Sequence, residues 1–180
     1  MQTRKRDKRN VYLMGFMCSG KTRVGKLLAG RLGWPFVDTD EMIVHMKGIS
    51  IPEIFQNEGE TAFRSLEKTC ISKIAAESGQ VVSLGGGAVI NPDNWEKIVN
   101  TGVTITLSYP PEILSARLAR KNDRPLMDGY DGNEKLKQVM TMLDQRKAYY
   151  ERADLVLHLN EEVEAERVAE ALTGFVRGRL

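Results

Sequence analysis

The chain has 180 residues, which suits one domain with a substantial core. Its 42% hydrophobic and 28% charged residues are ordinary for a globular protein. The formal net charge of +2 is too small to indicate a nucleic-acid-binding protein, and no apolar stretch is long enough to span a bilayer. With two cysteines, Cys18 and Cys70, there is no disulfide framework, so we expect a cytoplasmic protein with no membrane partner.

The basic segment 1–9 is expected to be a flexible, solvated arm, followed by one domain at 10–180. This arm and the apolar run after it look like a signal peptide that ends at Cys18. The apolar run is too short, however, contains Gly15 and lacks small residues before Cys18. We therefore expect no signal peptide.

Residues 15–22 read Gly-Phe-Met-Cys-Ser-Gly-Lys-Thr, the G-x-x-x-x-G-K-T pattern of a phosphate-binding loop (P-loop). A predicted strand precedes the pattern and a predicted helix follows it, so backbone N–H groups and the helix dipole create one anion site. Lys21 is expected to contact the β- and γ-phosphates, and the Thr22 hydroxyl to ligate Mg²⁺. The predicted ATP-binding residues here are Gly15, Cys18, Ser19, Gly20, Lys21, Thr22 and Arg23.

Apolar strands alternate with amphipathic helices along the chain, which predicts an α/β fold with a parallel sheet. The predicted strands lie at about 10–15, 35–38, 80–84, 103–108 and 154–159. The predicted helices lie near 20–32, 40–47, 51–57, 59–78, 92–100, 111–121, 132–150 and 161–176.

Two stretches depart from this alternation. Residues 39–70 form a long helical insertion between the second and third strands. Residues 120–132 are polar and turn-rich and contain Arg124, which is typical of a mobile lid that closes over a phosphate site. A passive surface connector is the alternative for this second stretch.

The carboxylate that many P-loop proteins place after a later strand is absent here, because residues 81–84 lead into three glycines. The second strand ends in Asp38-Thr39-Asp40, and the carboxyl ends of parallel strands border the ligand crevice. On an extended segment both carboxylates face the same way, with Asp38 suited to Mg²⁺ and Asp40 to an acceptor hydroxyl. The pattern is also typical of an Asx turn, and Asp40 could cap the next helix.

Gly85, Gly86 and Gly87 end a predicted strand, where glycine is unfavourable unless a ligand must approach the backbone. A simple tight turn is the alternative. Arg64 lies on a predicted helix between Glu60 and Glu67, which would hold its guanidinium in one orientation, although an ordinary solvated ion-pair face has the same pattern. Arginines at 64, 124 and 146 would suit a small anionic acceptor.

Several motifs occur in order between about residues 10 and 159, and as a set they resemble the shikimate kinase family. They are GFMCSGKT at 15–22, DTD at 38–40, FR at 63–64, GGG at 85–87, RPLM at 124–127 and QR-x-x-Y-Y at 145–150. The resemblance implies a P-loop kinase of the nucleoside-monophosphate-kinase type, with a five-stranded parallel sheet flanked by helices. It implies transfer of phosphate from ATP to the 3-hydroxyl of shikimate, with Mg²⁺, in aromatic amino-acid biosynthesis.

The resemblance also implies roles for individual residues. Lys21 contacts the transferred phosphate, Arg124 reaches the ATP phosphates from the lid, and both are counted as catalytic with Asp40, which contacts the reacting hydroxyl. Thr22 and Asp38 hold Mg²⁺, Asp38 through water. The shikimate-binding set is Asp40, Arg64, Gly85, Gly86, Gly87 and Arg146, and Arg117 lies beside the adenine. We expect a monomer whose partners are ATP and shikimate.

The chain departs from the family in two places. Cys18 stands where the family usually has a third P-loop glycine, and a cysteine costs about 1 kcal/mol or more there if the backbone needs a positive φ. After the last strand the family usually has an acidic-Thr stretch with a proline, whereas residues 158–162 read His-Leu-Asn-Glu-Glu. Adenine contacts in that stretch are therefore expected to come mostly from the backbone.

Two other functions fit parts of the pattern. A kinase for another small carboxylate-bearing or sugar-like acceptor would also use arginines, but the triple glycine and the RPL motif argue against it. A kinase-like binding protein that has lost catalysis would be expected to lack the P-loop lysine or the acidic residues, and Lys21, Thr22, Asp38 and Asp40 are all present.

Overall fold

The computed structural model describes residues 9–120 and 132–179. Residues 1–8 of the predicted arm lie outside this range. The same is true of residues 121–131, which include Arg124 and most of the predicted lid.

Five parallel strands form one sheet in the order β2-β3-β1-β4-β5. The strands are β1 (Asn10–Met14), β2 (Phe36–Asp38), β3 (Val81–Ser83), β4 (Gly102–Ser108) and β5 (Leu155–His158). Tyr12 of β1 pairs with Val82 on one side and with Thr104 on the other, so β1 is the central strand. The predicted five-stranded parallel sheet is confirmed. Because the strands are parallel, the carboxyl ends of β1, β2 and β3 lie along the same edge of the sheet.

Helices connect successive strands and flank the sheet. They are α1 (Lys21–Leu32), α2 (Thr39–Lys47), α3 (Ile51–Ala75), α4 (Pro92–Thr101), α5 (Pro111–Leu118), α6 (Gly132–Tyr150) and α7 (Ala165–Arg179). A short 3₁₀ turn, Ala88–Ile90, follows the triple glycine. Helix α1 ends at Gly33 with φ 68°, as the sequence Gly-Trp-Pro predicts.

The main core lies on the sheet, whose central strands are buried on both faces. Val11, Tyr12, Leu13 and Met14 of β1 are at most 1% exposed, which explains why this strand is an uninterrupted apolar run. Helices α1 and α7 pack together beside the sheet, and α4 packs on α3.

A second, smaller core lies under the insertion between β2 and β3. It contains Ile43 of α2 together with Ile54, Phe63 and Cys70 of α3. The predicted insertion at 39–70 therefore has a small core of its own, which Met42 joins to the main core.

Several predicted boundaries differ from the structure, and one predicted break agrees with it. The break predicted between the helices at 51–57 and 59–78 is confirmed, because α3 consists of two helical parts that meet at the non-helical Gly59 (φ 80°, ψ 174°), although the second part ends at Ala75 and not at 78. The last helix begins at Ala165 rather than 161, and α2 begins at Thr39 because Asp38 caps it. In the part of the chain that the structure describes, no helix is long and apolar enough to cross a membrane.

Candidate active site

The P-loop joins β1 to α1 and needs glycine at two points. Gly15 has φ 134°, and a methyl group built on it would lie 2.5 Å from the Leu107 carbonyl oxygen of β4. Gly20 has φ 89° and directly precedes α1. Side chains are therefore excluded at both ends of the loop, by backbone conformation and, at Gly15, also by contact.

Cys18 adopts a left-handed conformation with φ 61°. It is the only non-glycine residue with a positive φ within residues 9–120 and 132–179. A non-glycine residue in this region stores about 1 kcal/mol or more of strain, so surrounding contacts must hold the loop. The cost that the sequence predicts for Cys18 applies only if the backbone needs a positive φ, and the structure has a positive φ at this residue.

Lys21 and Ser19 complete the inner side of the loop. The Lys21 ammonium donates to the carbonyl oxygens of Gly15 at 3.0 Å and Phe16 at 2.9 Å, so its charge lies over the loop. The Ser19 hydroxyl is buried and has no hydrogen-bond partner among the residues that the structure describes. Because buried hydroxyls are nearly always paired, this one fits a site that a bound anion or water completes.

Thr22 and Asp38 meet where α1 begins and β2 ends. The Thr22 hydroxyl donates to Asp38 Oδ2 at 2.7 Å, and the Asp38 carboxylate is largely buried. Its other oxygen, Oδ1, accepts from the backbone N–H groups of Asp40 at 3.0 Å and Glu41 at 3.4 Å. Asp38 is therefore the N-cap of α2, and the predicted capping role of Asp40 is wrong.

Asp40 lies in the first turn of α2 and not on an extended segment, because the cap at Asp38 starts the helix earlier. Asp38 and Asp40 nevertheless line the same cleft. A methyl group built on Gly85 would lie 2.9 Å from Asp40 Oδ1 and 3.0 Å from Glu67 Oε1. Glycine at 85 thus lets two carboxylates approach the backbone at the end of β3.

Arg64 is held as the sequence predicts. Its Nε and Nη2 donate to Glu60 Oε1 at 3.2 and 3.0 Å, and its Nη1 donates to both oxygens of Glu67 at 3.0 and 3.2 Å. A methyl group on Gly87 would lie 2.7 Å from Arg64 Nη1. Burial by itself lowers the pKa of Arg64, but Glu67 and Glu60 outweigh it and the pKa is raised.

Glu67 is a buried member of the site, only 1% exposed, that the sequence suggests solely as a partner of Arg64. Burial raises the pKa of its carboxyl group and Asp40 adds to this, while Arg64 and Arg146 oppose it. The Asp40 and Glu67 carboxylates lie close together beside Gly85. The spacing of three residues from Arg64 could have indicated the contact, but not the burial.

Arg146 of α6 reaches the same glycine segment. It is 8% exposed, and its Nη1 would lie 3.6 Å from a methyl group on Gly86. Tyr150, one turn later, donates its hydroxyl to the Gly86 carbonyl oxygen at 2.6 Å. The three glycines thus bring Asp40, Arg64 and Arg146 to one backbone segment, whereas sequence spacing alone does not place them together.

Arg117 of α5 lies at the other end of the cleft. Its guanidinium stacks on the Tyr109 ring at 4.1 Å, pairs with Glu162 through two nitrogens, and donates from Nη1 to the Cys18 carbonyl oxygen at 3.0 Å. The ion pair with Glu162 raises the pKa of Arg117 and lowers that of Glu162. Sequence reasoning did not find Tyr109 or Glu162, because both contacts depend on the tertiary fold.

Arg23, predicted at the ATP site, lines the cleft. It is largely exposed and pairs with Glu166 of α7 at 3.2 Å. Its contact in the structure is therefore to the neighbouring helix.

The cleft that these elements enclose has a volume of about 1280 Å³. Its wall includes the P-loop residues from Met17 to Thr22, together with Asp38, Asp40, Gly86 and Arg117. Arg64 and Arg146 do not line the cleft but lie beside Gly87 and Gly86, and Arg124 is outside the described residues. One open cleft thus extends from the phosphate loop to Asp40 and Gly86.

The residues at the mouth of the P-loop fit a magnesium ion. Thr22 and Asp38 supply two hard oxygen donors that already lie 2.7 Å apart. Within residues 9–120 and 132–179, no group of three or more His, Cys, Asp or Glu side chains is placed to hold a metal. Magnesium is usually held by one or two protein oxygens with water and phosphate oxygens, so a small donor set suits it.

A family model described as shikimate kinase matches residues 17–177. The chain belongs to the shikimate kinase family. The shikimate kinase of Geobacter metallireducens is 40% identical over 171 residues, covering 95% of this chain and 93% of that protein. The shikimate kinase of Chlorobaculum tepidum is 45% identical over 152 residues, covering 82% and 80%. A structure of the shikimate kinase from Acinetobacter baumannii in complex with shikimate has a TM-score of 0.88 at 30% identity, covering 96% and 94%.

The family, fold class and enzyme class that the motifs predict are confirmed. The chain is a P-loop kinase for ATP-dependent phosphorylation of shikimate. The two alternatives, a kinase for another small acid and a lapsed binding protein, gain no support from these relatives.

Proposed function

We propose that the γ-phosphoryl group of ATP is transferred to the 3-hydroxyl of shikimate, with Asp40 at that hydroxyl. The observation that carries the proposal is the position of Asp40: it lines the P-loop cleft and its carboxylate lies against Gly85. An acceptor bound on the glycine segment would therefore lie between Asp40 and the phosphate loop.

On the nucleotide side, the P-loop amides and Lys21 bind the phosphates of ATP. Lys21 already lies over the loop, so little rearrangement is needed to neutralise charge on the transferred group. Thr22 and Asp38 would hold Mg²⁺, which supplies further positive charge at the phosphates when bound. Arg124 is proposed to add positive charge from the lid, on the sequence motif alone.

On the acceptor side, Arg64 and Arg146 bind the shikimate carboxylate. Glu60 and Glu67 fix the Arg64 guanidinium before the acceptor arrives, so less side-chain freedom is lost on binding. Gly85, Gly86 and Gly87 let the acceptor ring approach the backbone.

Asp40 accepts a hydrogen bond from the 3-hydroxyl and directs its oxygen toward the γ-phosphate. Because phosphoryl transfer depends chiefly on positioning and charge neutralisation, this alignment accounts for its main contribution. The proposal is supported by the P-loop and Asp40 lining one cleft, with Arg64 and Arg146 beside the glycine segment at its border. A cytoplasmic monomer stays our prediction for the enzyme as a whole.

The acceptor is tested by measuring ADP release with ATP, Mg²⁺ and a panel of shikimate, quinate, gluconate and nucleoside monophosphates. Turnover is expected with shikimate, and NMR of the product should show phosphate on the 3-hydroxyl. Phosphate on another hydroxyl would reject the placement of Asp40, and turnover with gluconate alone would favour the other small-acid kinase.

A further inference from the structure

Arg117 links three parts of the nucleotide side that are distant in sequence. It belongs to α5, its ion-pair partner Glu162 follows β5, and its third contact is the carbonyl oxygen of Cys18 in the P-loop. The residue whose carbonyl it holds is the strained one, with φ 61°. This contact joins the wall of the cleft to the conformation of the phosphate loop.

We propose that Glu162 is a positioning residue for nucleotide binding, which orients Arg117 so that Arg117 holds the P-loop in its binding conformation at Cys18. The proposal rests on the proposed function only in taking the P-loop as the nucleotide site. In this chain the P-loop has Cys18 at a position where glycine would be free of strain, and the pair of Glu162 and Arg117 would stabilise the loop there.

The geometry supports this direction of action. The Glu162 carboxylate binds Arg117 through Nε and Nη2, which fixes the plane of the guanidinium and turns Nη1 toward the loop. Tyr109 covers one face of the same plane at 4.1 Å. With the guanidinium fixed in plane and in position, the 3.0 Å bond to the Cys18 carbonyl oxygen is a rigid tether.

The hydrogen bond from Arg117 acts at Cys18, where the backbone is strained. A non-glycine residue with φ near 60° relaxes readily to negative φ, which would turn the neighbouring peptide groups away from the anion site. With glycine at this position the left-handed conformation would be free of this strain, and the tether would matter less. The need for Glu162 therefore depends on Cys18.

The first test uses two ligands, ADP and inorganic tripolyphosphate, each with Mg²⁺ and without acceptor. Tripolyphosphate has no base, so an effect on its affinity must act through the phosphate loop. Glu162→Gln is expected to weaken binding of both ligands by about three- to fivefold, the range that loss of one largely exposed ion pair can produce. Calorimetry, or displacement of a fluorescent ADP analogue, measures it.

The control is Glu161→Gln, which makes the same charge change one residue away. Glu161 is exposed and is not part of the cleft wall. Simple electrostatics predicts that removing a negative charge near the cleft slightly strengthens polyphosphate binding in either variant. Weaker binding in Glu162→Gln alone is therefore opposite in sign to the effect of net charge.

The second test repeats the measurement in a Cys18→Gly background. There the loss caused by Glu162→Gln is expected to shrink to less than about twofold, because the loop no longer needs the tether. In steady-state assays Glu162→Gln should raise KM for ATP while kcat and KM for shikimate stay unchanged.

The proposal is overturned if Glu162→Gln leaves tripolyphosphate affinity unchanged or increases it, or if the full loss persists with Cys18→Gly. Because the binding assays contain no acceptor, they are independent of the proposed acceptor chemistry. A chain that binds ADP as expected but shows no shikimate-dependent turnover would contradict the proposed function and leave this inference intact.

Discussion

Three adjacent glycines control how closely charged groups approach the acceptor edge of the cleft. A methyl group would meet carboxylate oxygens at Gly85, and the guanidinium of Arg64 at Gly87. Gly87 itself has an ordinary backbone, with φ −102° and ψ −8°. Glycine is therefore required at 87 by the space that Arg64 occupies and not by backbone conformation. A substitution at Gly87 should then affect acceptor binding more than stability.

Gly87→Ala is expected to impair shikimate binding with little change in stability. The new methyl group displaces the end of the flexible Arg64 side chain, so folding tolerates it, but the guanidinium leaves its orientation. KM for shikimate should rise about tenfold, as expected for a weakened bond to a charged group, while KM for ATP stays unchanged. Steady-state kinetics and urea unfolding measure the two effects.

Gly174→Ala is the matched control, because a methyl group at this position of α7 meets nothing within 4 Å. It should leave both KM values unchanged. Equal KM for shikimate in the two variants would show that the position of Arg64 does not affect acceptor binding.

Asp40→Asn is expected to reduce turnover far more than ATP affinity. The amide keeps the size of the side chain but is a weaker acceptor for the hydroxyl, so kcat should fall by about a hundredfold or more. ADP affinity, measured by calorimetry, should stay within about twofold of the original protein, since Asp40 is assigned to the acceptor side. Comparable losses in both would contradict that assignment.

At the scale of elements, the break in α3 matters most. Gly59 has φ 80° and ψ 174°, a backbone conformation that is almost restricted to glycine, and the helical part that follows it carries the ion pair of Glu60 and Arg64. Both parts of α3 contribute to the small core, Ile54 before the break and Phe63 and Cys70 after it, and the second part also carries Arg64 to the glycine segment.

Gly59→Ala is expected to lower the free energy of unfolding by about 1–3 kcal/mol, through backbone strain alone. A methyl group there meets nothing within 4 Å, so no clash contributes. The control is Gly30→Ala, also free of contacts but inside α1, which should gain about 0.5–1 kcal/mol. Urea unfolding compares the two, and a gain in both variants would refute the role of the break.

The beginnings of helices show where sequence reasoning succeeds and where it fails. The P-loop, the strand before it and the end of α1 follow from glycine positions and apolar runs, and all are confirmed. Helix α2 begins one residue earlier than predicted, and the sequence does not decide its start because Asp38 and Asp40 are equally good caps by residue type. Only the fold shows that Asp38 is buried beside Thr22 and is the one that caps.

For the whole molecule, the two cores predict unequal local stability. The small core of Ile43, Ile54, Phe63 and Cys70 supports residues 39–58, whereas the main core supports the sheet. Backbone amides of residues 39–58 should exchange with deuterium faster than those of β1 and β4, and shikimate should slow them selectively. Exchange measured by mass spectrometry tests this, and equal protection in both regions would argue against two separable units.

The global architecture was predictable because the alternation of strands and helices, and the motifs along it, are local in sequence. The convergence of Asp40, Arg64 and Arg146 on three glycines was not, since it depends on which strands are neighbours in the sheet. Glu162 and Tyr109 were missed for the same reason: their partner, Arg117, is close only in the folded chain.

The double duty of Asp38 has a thermodynamic consequence. One carboxylate oxygen holds Thr22 at the nucleotide side, and the other caps the helix that carries Asp40 at the acceptor side. Any ligand that changes the charge or position of this carboxylate changes the energy of both sides. Thermodynamic linkage then requires the effect to be reciprocal. If bound nucleotide changes the affinity for the acceptor by some factor, bound acceptor must change the affinity for the nucleotide by the same factor.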